Sequence, residues 1–170
     1  LLQHAAFVIM QRYAFSPDII HCNDWQTALM PAMMKYHYAW YRLFSTTHTV
    51  LSIHNLAYQG RSNPDLTFRA GLPREGADLG GEFEYDGSFS FLKTGIMTAD
   101  RISTVSPTYA REIQTDAFGE GLDGLLRMRS GCVNGILNGI DVDIWDPASD
   151  PYLEHHFDFD RLEGKSLNKI

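Results

Sequence analysis

What most limits the folds open to this chain is a repeated order of events: a short aliphatic or β-branched run, a cluster of polar residues, then a stretch of helical periodicity. Asp18-Ile19-Ile20-His21-Cys22, introduced by Pro17, reads as a strand and runs into Asn23 and Asp24, either of which can cap a following helix. From Trp25 to about Tyr41 the apolar residues Ala28, Leu29, Ala32, Met33 and Tyr36 recur at helical spacing, and Pro31 among them predicts a kink. His48 to Ile53, rich in Thr, Val and Ile, predicts a second strand that delivers His54, Asn55 and Tyr58 just beyond its end. Phe89 to Ala99 is helical in pattern, with Phe89, Leu92, Ile96 and Ala99 on one stripe, and it feeds a strand at Arg101 to Val105. Ser106 as cap and Pro107 in the first turn open another helix to about Thr115, and a shorter one follows near Leu122 to Arg129. A last apolar run, Cys132 to Leu137, ends in Asn138-Gly139 and Asp141.

Strands that alternate with helices of this length argue for an α/β fold, with right-handed crossovers around a Rossmann-like parallel sheet flanked by helices. Between Gly60 and Gly87 the residues Gly, Pro, Asp, Asn and Ser gather without a sustained period, which predicts a long loop holding one helical turn at most. Ligands of open parallel sheets lie outside the carboxyl ends of the strands. Asp24, His54 and Asn138 all follow strand ends here, so three of them point at one candidate site.

With 170 residues, one domain is the expectation, and 44% apolar against 21% charged residues suit a packed core. A net charge of -7 offers no basic face for a nucleic acid. No apolar run approaches the roughly 20 residues of a membrane-spanning helix. Cys22 and Cys132 have neither metal-like spacing nor the number for a disulfide framework, which suits a reducing compartment. The chain opens Leu1-Leu2-Gln3, without an initiator Met or a signal pattern, and is expected to be a piece of something longer.

Gly119-Glu120-Gly121-Leu122-Asp123-Gly124 has the spacing of a dinucleotide-binding loop, the mark of a nucleotide-dependent oxidoreductase. That loop needs a strand directly before it, whereas here the helix from Pro107 precedes, so the glycines are expected to shape a turn between two helices. His54 by itself is open to three readings: a general base, a ligand holder, or a satisfied half-buried imidazole. Its company favours ligand contact, because His54-Asn55-Leu56-Ala57-Tyr58-Gln59-Gly60 sets an imidazole, two amides and a phenol in seven residues after a strand, a set suited to a polyhydroxylated ligand. Asp24 reads equally as a helix cap and as a site carboxylate, and Trp25 as core or as a platform for the apolar face of a sugar. Asn138-Gly139 reads as a turn, Lys93 as the solvated side of its helix, and His155-His156 with the acidic tail as surface. No set of His, Cys and carboxylates has the spacing of a strong metal motif.

Taken in order, Pro17 to Gln26, Ile53 to Gly60, Phe91-Leu92-Lys93-Thr94-Gly95, Ala99 to Ala110, Gly121 to Leu126 and Gly135 to Asp141 resemble the bacterial glycogen synthases and plant starch synthases over nearly the whole chain. The resemblance implies a two-domain GT-B enzyme that moves glucose from ADP-glucose to the non-reducing end of an α-1,4-glucan with retention, without a metal or other cofactor. It implies that residues 1–170 are part of the N-terminal, acceptor-side domain, with 142–170 leading towards a C-terminal domain that binds the donor diphosphate. Carried over, it sets His54 by the transferred glucose, Asn138 on one of its hydroxyls, and Asp24 with Trp25 at the border of donor and acceptor sites, with Asn55, Tyr58 and Gln59 in the same loop. It further implies a bacterial cytoplasm or a plant plastid stroma, the first favoured. The family often has His where Asn23 stands, and its N-terminal Lys-Thr-Gly-Gly loop is absent here. The competing reading from another class is a noncatalytic α-glucan-binding module built on Trp25, His54 and the aromatic loop.

Overall fold

The computed structural model describes residues 1–169, which fall into two compact units, Leu1–Leu137 and a second that begins at Asn138. The first unit opens with helix α1 (Leu2–Arg12) and strand β1 (Ile19–Asn23). Short helices α2 (Asp24–Thr27) and α3 (Met30–Met33) follow, then β2 (His48–Ile53). Next come β3 (Arg61–Ser62), α4 (Leu66–Arg69), β4 (Glu84–Tyr85), β5 (Ser88–Ser90) and α5 (Phe91–Thr98). Strand β6 (Arg101–Thr104), helices α6 (Pro107–Glu112) and α7 (Asp123–Met128), and β7 (Val133–Gly135) complete it. The main sheet has the order β1-β2-β6-β7 with every pair parallel, as the alternation predicts.

The two faces of this sheet differ. Successive side chains of a strand point to opposite sides, and in β1 the pattern is clean: Ile20 and Cys22 are buried while Ile19, His21 and Asn23 are exposed. On the buried side Leu51, Ile53 and Ile102 join Met33, Leu92 and Ile96 in one apolar core with α3 and α5. Burial pushes the Cys22 thiol up to about 12, so it stays protonated and serves as a small apolar side chain. On the other side a polar row crosses three strands: His21 Nε2 meets Ser52 Oγ at 2.6 Å, and Ser52 Oγ meets Ser103 Oγ at 2.5 Å.

Two expected elements take a different form. The expected kinked helix from Trp25 to Tyr41 is three short pieces, α2, α3 and a π-helical turn over Met34–Tyr38. Pro31 explains the break, since it has no N–H to give the preceding turn and is tolerated only where it stands, in the first turn of α3. The expected loop from Gly60 to Gly87 supplies the two outer strands of a second sheet, antiparallel, in the order β3-β5-β4, whose middle strand follows directly after it. Its strands are two or three residues long, too short to leave a period-2 signal. Phe89 accordingly belongs to β5, and the helix begins two residues later, at Phe91, where the Ser90 hydroxyl accepts the Lys93 N–H at 3.2 Å as a side-chain cap.

Lys93 is not on a solvated face. Its half-buried ammonium donates to the carbonyls of Gly81, at 3.3 Å, and Glu84, while the Glu84 carboxylate accepts the N–H groups of Gly87 at 2.6 Å and Gly80 at 3.1 Å. These bonds hold the small sheet and its turns against α5.

The second unit consists of turns and one short helix, α8 (Glu163–Leu167). Asn168 ties it together, accepting the His155 N–H at 3.1 Å and donating to the His155 carbonyl at 2.6 Å. His155 and His156 are exposed, as expected of a surface pair. The Arg161 guanidinium, 2.7 Å from Asp158, holds that carboxyl below the usual carboxylate range. Among the described residues no helix is long and apolar enough to cross a membrane.

Candidate active site

The carboxyl ends of β1 and β2 are adjacent in the sheet, with Asn23 registered on Ser52, so the residues just beyond them are brought side by side. Neither Asn23 nor Asp24 caps α2 with its side chain, contrary to one reading of the sequence. The Thr27 hydroxyl takes over, accepting the Asn23 N–H at 2.6 Å and donating to the Asn23 carbonyl at 2.8 Å. Both side chains are thereby free to reach across to the next strand. Asp24 Oδ1 accepts the backbone N–H of His54 at 2.8 Å and lies 3.4 Å from that of Asn55, and Asn23 Oδ1 lies 3.0 Å from Nε2 of the His54 imidazole.

Asp24 reaches this position with φ at 51°, in the left-handed region that glycine adopts freely and that, of the other residues, Asn and Asp adopt most readily. A left-handed L-residue costs about 1–2 kcal/mol, and such costs concentrate where geometry serves a site. Here it turns the chain sharply at the strand end, so that two consecutive side chains, which would diverge in an extended strand, bear on one residue.

Beyond His54 the loop is fixed from several directions. Asn55 Oδ1 accepts the Ala57 N–H at 3.0 Å, and the Tyr109 hydroxyl accepts the Leu56 N–H at 3.1 Å. The carbonyls of Gln59 and Gly60 accept the first N–H groups of α5, from Leu92 at 3.0 Å and Phe91 at 3.2 Å. Gln59, offered by the sequence as a ligand contact, is buried, and its amide donates to the Glu120 carbonyl at 2.9 Å, where the Tyr85 hydroxyl also donates at 3.2 Å. The glycine-rich segment therefore acts as a turn that anchors this loop. It follows α6 and a series of turns instead of a strand, which removes the dinucleotide-binding reading.

Trp25, Tyr58, Phe91 and Gly60 enclose an open cleft of about 480 Å³, completed by Gln59, Arg61 and Ser62. The Trp25 ring is half-buried and meets Phe91 edge-on at 6.1 Å, so it is at once part of the core and part of the cleft wall. Tyr58 is 65% exposed and stands free at the rim. Gly60 has φ of 62°, and a Cβ there would collide with the Trp25 indole, so glycine is required twice over.

The structure thus brings together Asp24, Trp25, His54, Asn55 and Tyr58 and makes Gln59 a buried anchor. Asn138 is the first residue of the second unit and is exposed. Sequence reasoning missed Asn23 as the partner of His54, and Phe91, Arg61 and Ser62 as cleft residues. For Asn23 the available signal was its place at a strand end beside Asp24; the others have none. Among the described residues no group of three His, Cys, Asp or Glu side chains converges as a cation site.

The site thus sits on a parallel α/β sheet, as a polar and aromatic-walled cleft beyond the ends of two strands, and comparison with known proteins places the chain in a family. Residues 1–128 match the family model described as the starch synthase catalytic domain, and the chain belongs to that family. It is 49% identical over 166 residues to a glycogen synthase of Thermotoga maritima, covering 98% of this chain and 34% of that protein. It is 47% identical over 168 residues to one of Lacticaseibacillus casei, covering 98% and 35%. Among solved structures it resembles the catalytic domain of starch synthase IV from Arabidopsis thaliana bound to ADP and acarbose, with a TM-score of 0.75 and 35% identity over 95% of this chain and 33% of that one. The chain spans about a third of the length of these relatives.

Proposed function

We propose that this chain is the acceptor-side part of a retaining glucosyltransferase, a glycogen or starch synthase of GT-B architecture. The enzyme moves glucose from ADP-glucose to the non-reducing end of an α-1,4-glucan. The observation that carries the reading is the coupling of two strand ends, Asn23-Asp24 on His54-Asn55, beside a cleft walled by Trp25, Tyr58 and Phe91. Supporting it are the family of the chain and the names of its relatives.

Breaking a glycosyl phosphate bond develops positive charge at the sugar and negative charge on the leaving diphosphate, and the protein must stabilise both. The half-buried Asp24 carboxylate is the anionic group at the sugar end. His54 hydrogen-bonds a hydroxyl of the transferred glucose, Asn55 and Tyr58 contact the sugar from the loop, and Trp25 offers a flat apolar surface to a ring. From the family resemblance alone, Asn138 is a further partner of a sugar hydroxyl. The diphosphate falls to a C-terminal domain carried by the rest of the protein, towards which residues 142–170 lead. Closure of the two domains excludes water and disfavours hydrolysis of the donor. No metal or other cofactor is invoked, since ADP-glucose is itself a substrate. The setting is the bacterial cytoplasm, or the plastid stroma for a plant protein.

Losing one preorganised electrostatic partner costs about 10²–10³ in rate, and this chain alone lacks the whole diphosphate side. Transfer of labelled glucose from ADP-glucose to glycogen tests the reading. The full-length protein is expected to be active, its His54→Ala variant to lose at least about 10²-fold, and residues 1–170 alone to show no turnover. Full activity of His54→Ala overturns the assignment of that residue. The open aromatic cleft also suits a noncatalytic α-glucan-binding module. That reading takes over if the full-length protein transfers no glucose yet retains maltooligosaccharide.

A further inference from the structure

We propose that Asn23 is a positioning residue that fixes the tautomer of His54, holding the proton on Nε2 and presenting the Nδ1 lone pair as an acceptor for a hydroxyl of the bound sugar. The sugar part of this rests on the function proposed above; the tautomer part does not. Neutral imidazole carries one proton, and the hydrogen bond made by one ring nitrogen decides the role of the other. Asn23 Oδ1, a carbonyl-type oxygen that can only accept, lies 3.0 Å from His54 Nε2. With the amide oxygen on this side, the nitrogen facing it is the donor. Nδ1 has no hydrogen-bond partner among the described residues, and the side chain is exposed at the strand end.

The backbone supports the same assignment. Asp24 Oδ1 holds the His54 N–H at 2.8 Å, so the residue is pinned at its main chain by one neighbour and at its ring by the other. Consecutive residues of a strand point to opposite faces. Only the left-handed conformation of Asp24, with φ at 51°, lets Asn23 and Asp24 serve one target. A preorganised acceptor at Nδ1 spares the ligand the cost of selecting a tautomer.

The test uses the full-length protein with ¹⁵N-labelled histidine, whose ring nitrogen shifts distinguish the two neutral tautomers and the imidazolium from one another. Wild type is expected to show His54 protonated on Nε2. Asn23→Asp keeps an oxygen acceptor in the same place and is expected to retain that tautomer. Asn23→Leu keeps the bulk, removes the acceptor, and is expected to give a mixture, with KM for ADP-glucose rising about 5–10-fold, the worth of roughly one hydrogen bond, and kcat changing less. A wild-type His54 protonated on Nδ1, or equal shifts and equal KM in the two variants, overturns the proposal. The wild-type spectrum needs no variant to fold. If the full-length protein transfers no glucose, the functional reading fails, while the ring shifts still decide the role of Asn23.

Discussion

The carboxyl ends of β1 and β2 and the insert from Gly60 to Ser90 lie in the same unit but are organised by different means. At the strand ends, parallel pairing sets the distance between backbones, and the side chains of Asn23 and Asp24 need to bridge only one strand spacing to reach His54. In the insert the ladders β3-β5 and β4-β5 are two residue pairs each, too few to stand alone. Its order comes from polar side chains that satisfy main-chain groups: Glu84 within it, Lys93 reaching in from α5, and Gln59 with Tyr85 on the Glu120 carbonyl. The comparison teaches that a site at a sheet edge inherits precision from the ladder, whereas its wall must be built from individual bonds, each of which can fail separately.

The junction between the two regions is the most sensitive place to break the contrast. Gly60→Ala would force an L-residue to φ of 62° and drive a methyl into the Trp25 ring. We expect a loss of about 2 kcal/mol or more, read as a shift of the denaturation midpoint, together with weaker binding of maltooligosaccharide. An unchanged midpoint would mean that the wall is far softer than its geometry indicates.

Removing the Glu84 charge acts on the insert alone. With Glu84→Gln, hydrogen exchange at the Gly80 and Gly87 amides should accelerate while that of the β2 amides stays as it was. Acid gives the same contrast with a sign that follows from the bonds. The Gly87 and Gly80 N–H groups, in that order, hold the Glu84 carboxyl below the usual range against its burial, and Lys93 adds to the effect. A depressed folded pKa contributes stability in full above the unfolded value of about 4.3 and loses it as pH falls through the lower folded value. The insert is therefore expected to open on acidification before the parallel sheet does, and Glu84→Gln to flatten that response. Simultaneous opening of both regions would erase the distinction.

The smallest effect should come from Arg61. Its guanidinium lies 3.3 Å from Asp86 and over the Tyr85 ring, but both charged partners are open to solvent. Asp86→Asn, which removes the charge and keeps a residue suited to φ of 52° there, is expected to cost no more than about 0.5 kcal/mol, measured by thermal unfolding at low and at high salt.

Much of the scaffold was legible in the sequence because its signals are local and repeated. β2 occupies the residues expected of it, β1 and β6 fall within a residue of expectation, and Ser106 caps α6 through the Tyr109 N–H at 2.9 Å as its place before Pro107 implies. That Asp24, Trp25, His54, Asn55 and Tyr58 gather beyond the ends of β1 and β2 was legible for the same reason, since they follow strand ends. What the chain order could not convey was which of them hold one another. Asp24 looks like a cap from its neighbours, yet its carboxylate serves a strand thirty positions away. Gln59 reads from its loop as a cleft residue, and the structure adds that its amide also anchors to the Glu120 carbonyl. Lys93 looks solvated from its helix, yet it holds the turns of the insert.

The sequence by itself thus determined the parallel α/β scaffold, the family, and the polar residues offered at the strand ends, because periodicity and turn chemistry act over a few residues. The tertiary structure decided the division of labour among those residues, the second sheet within residues 60–90, and the breaking of one expected helix into three turns. These depend on hydrogen bonds between positions far apart in the chain, whose partners are selected by the packing of the whole unit and leave no periodic trace in the order of the amino acids.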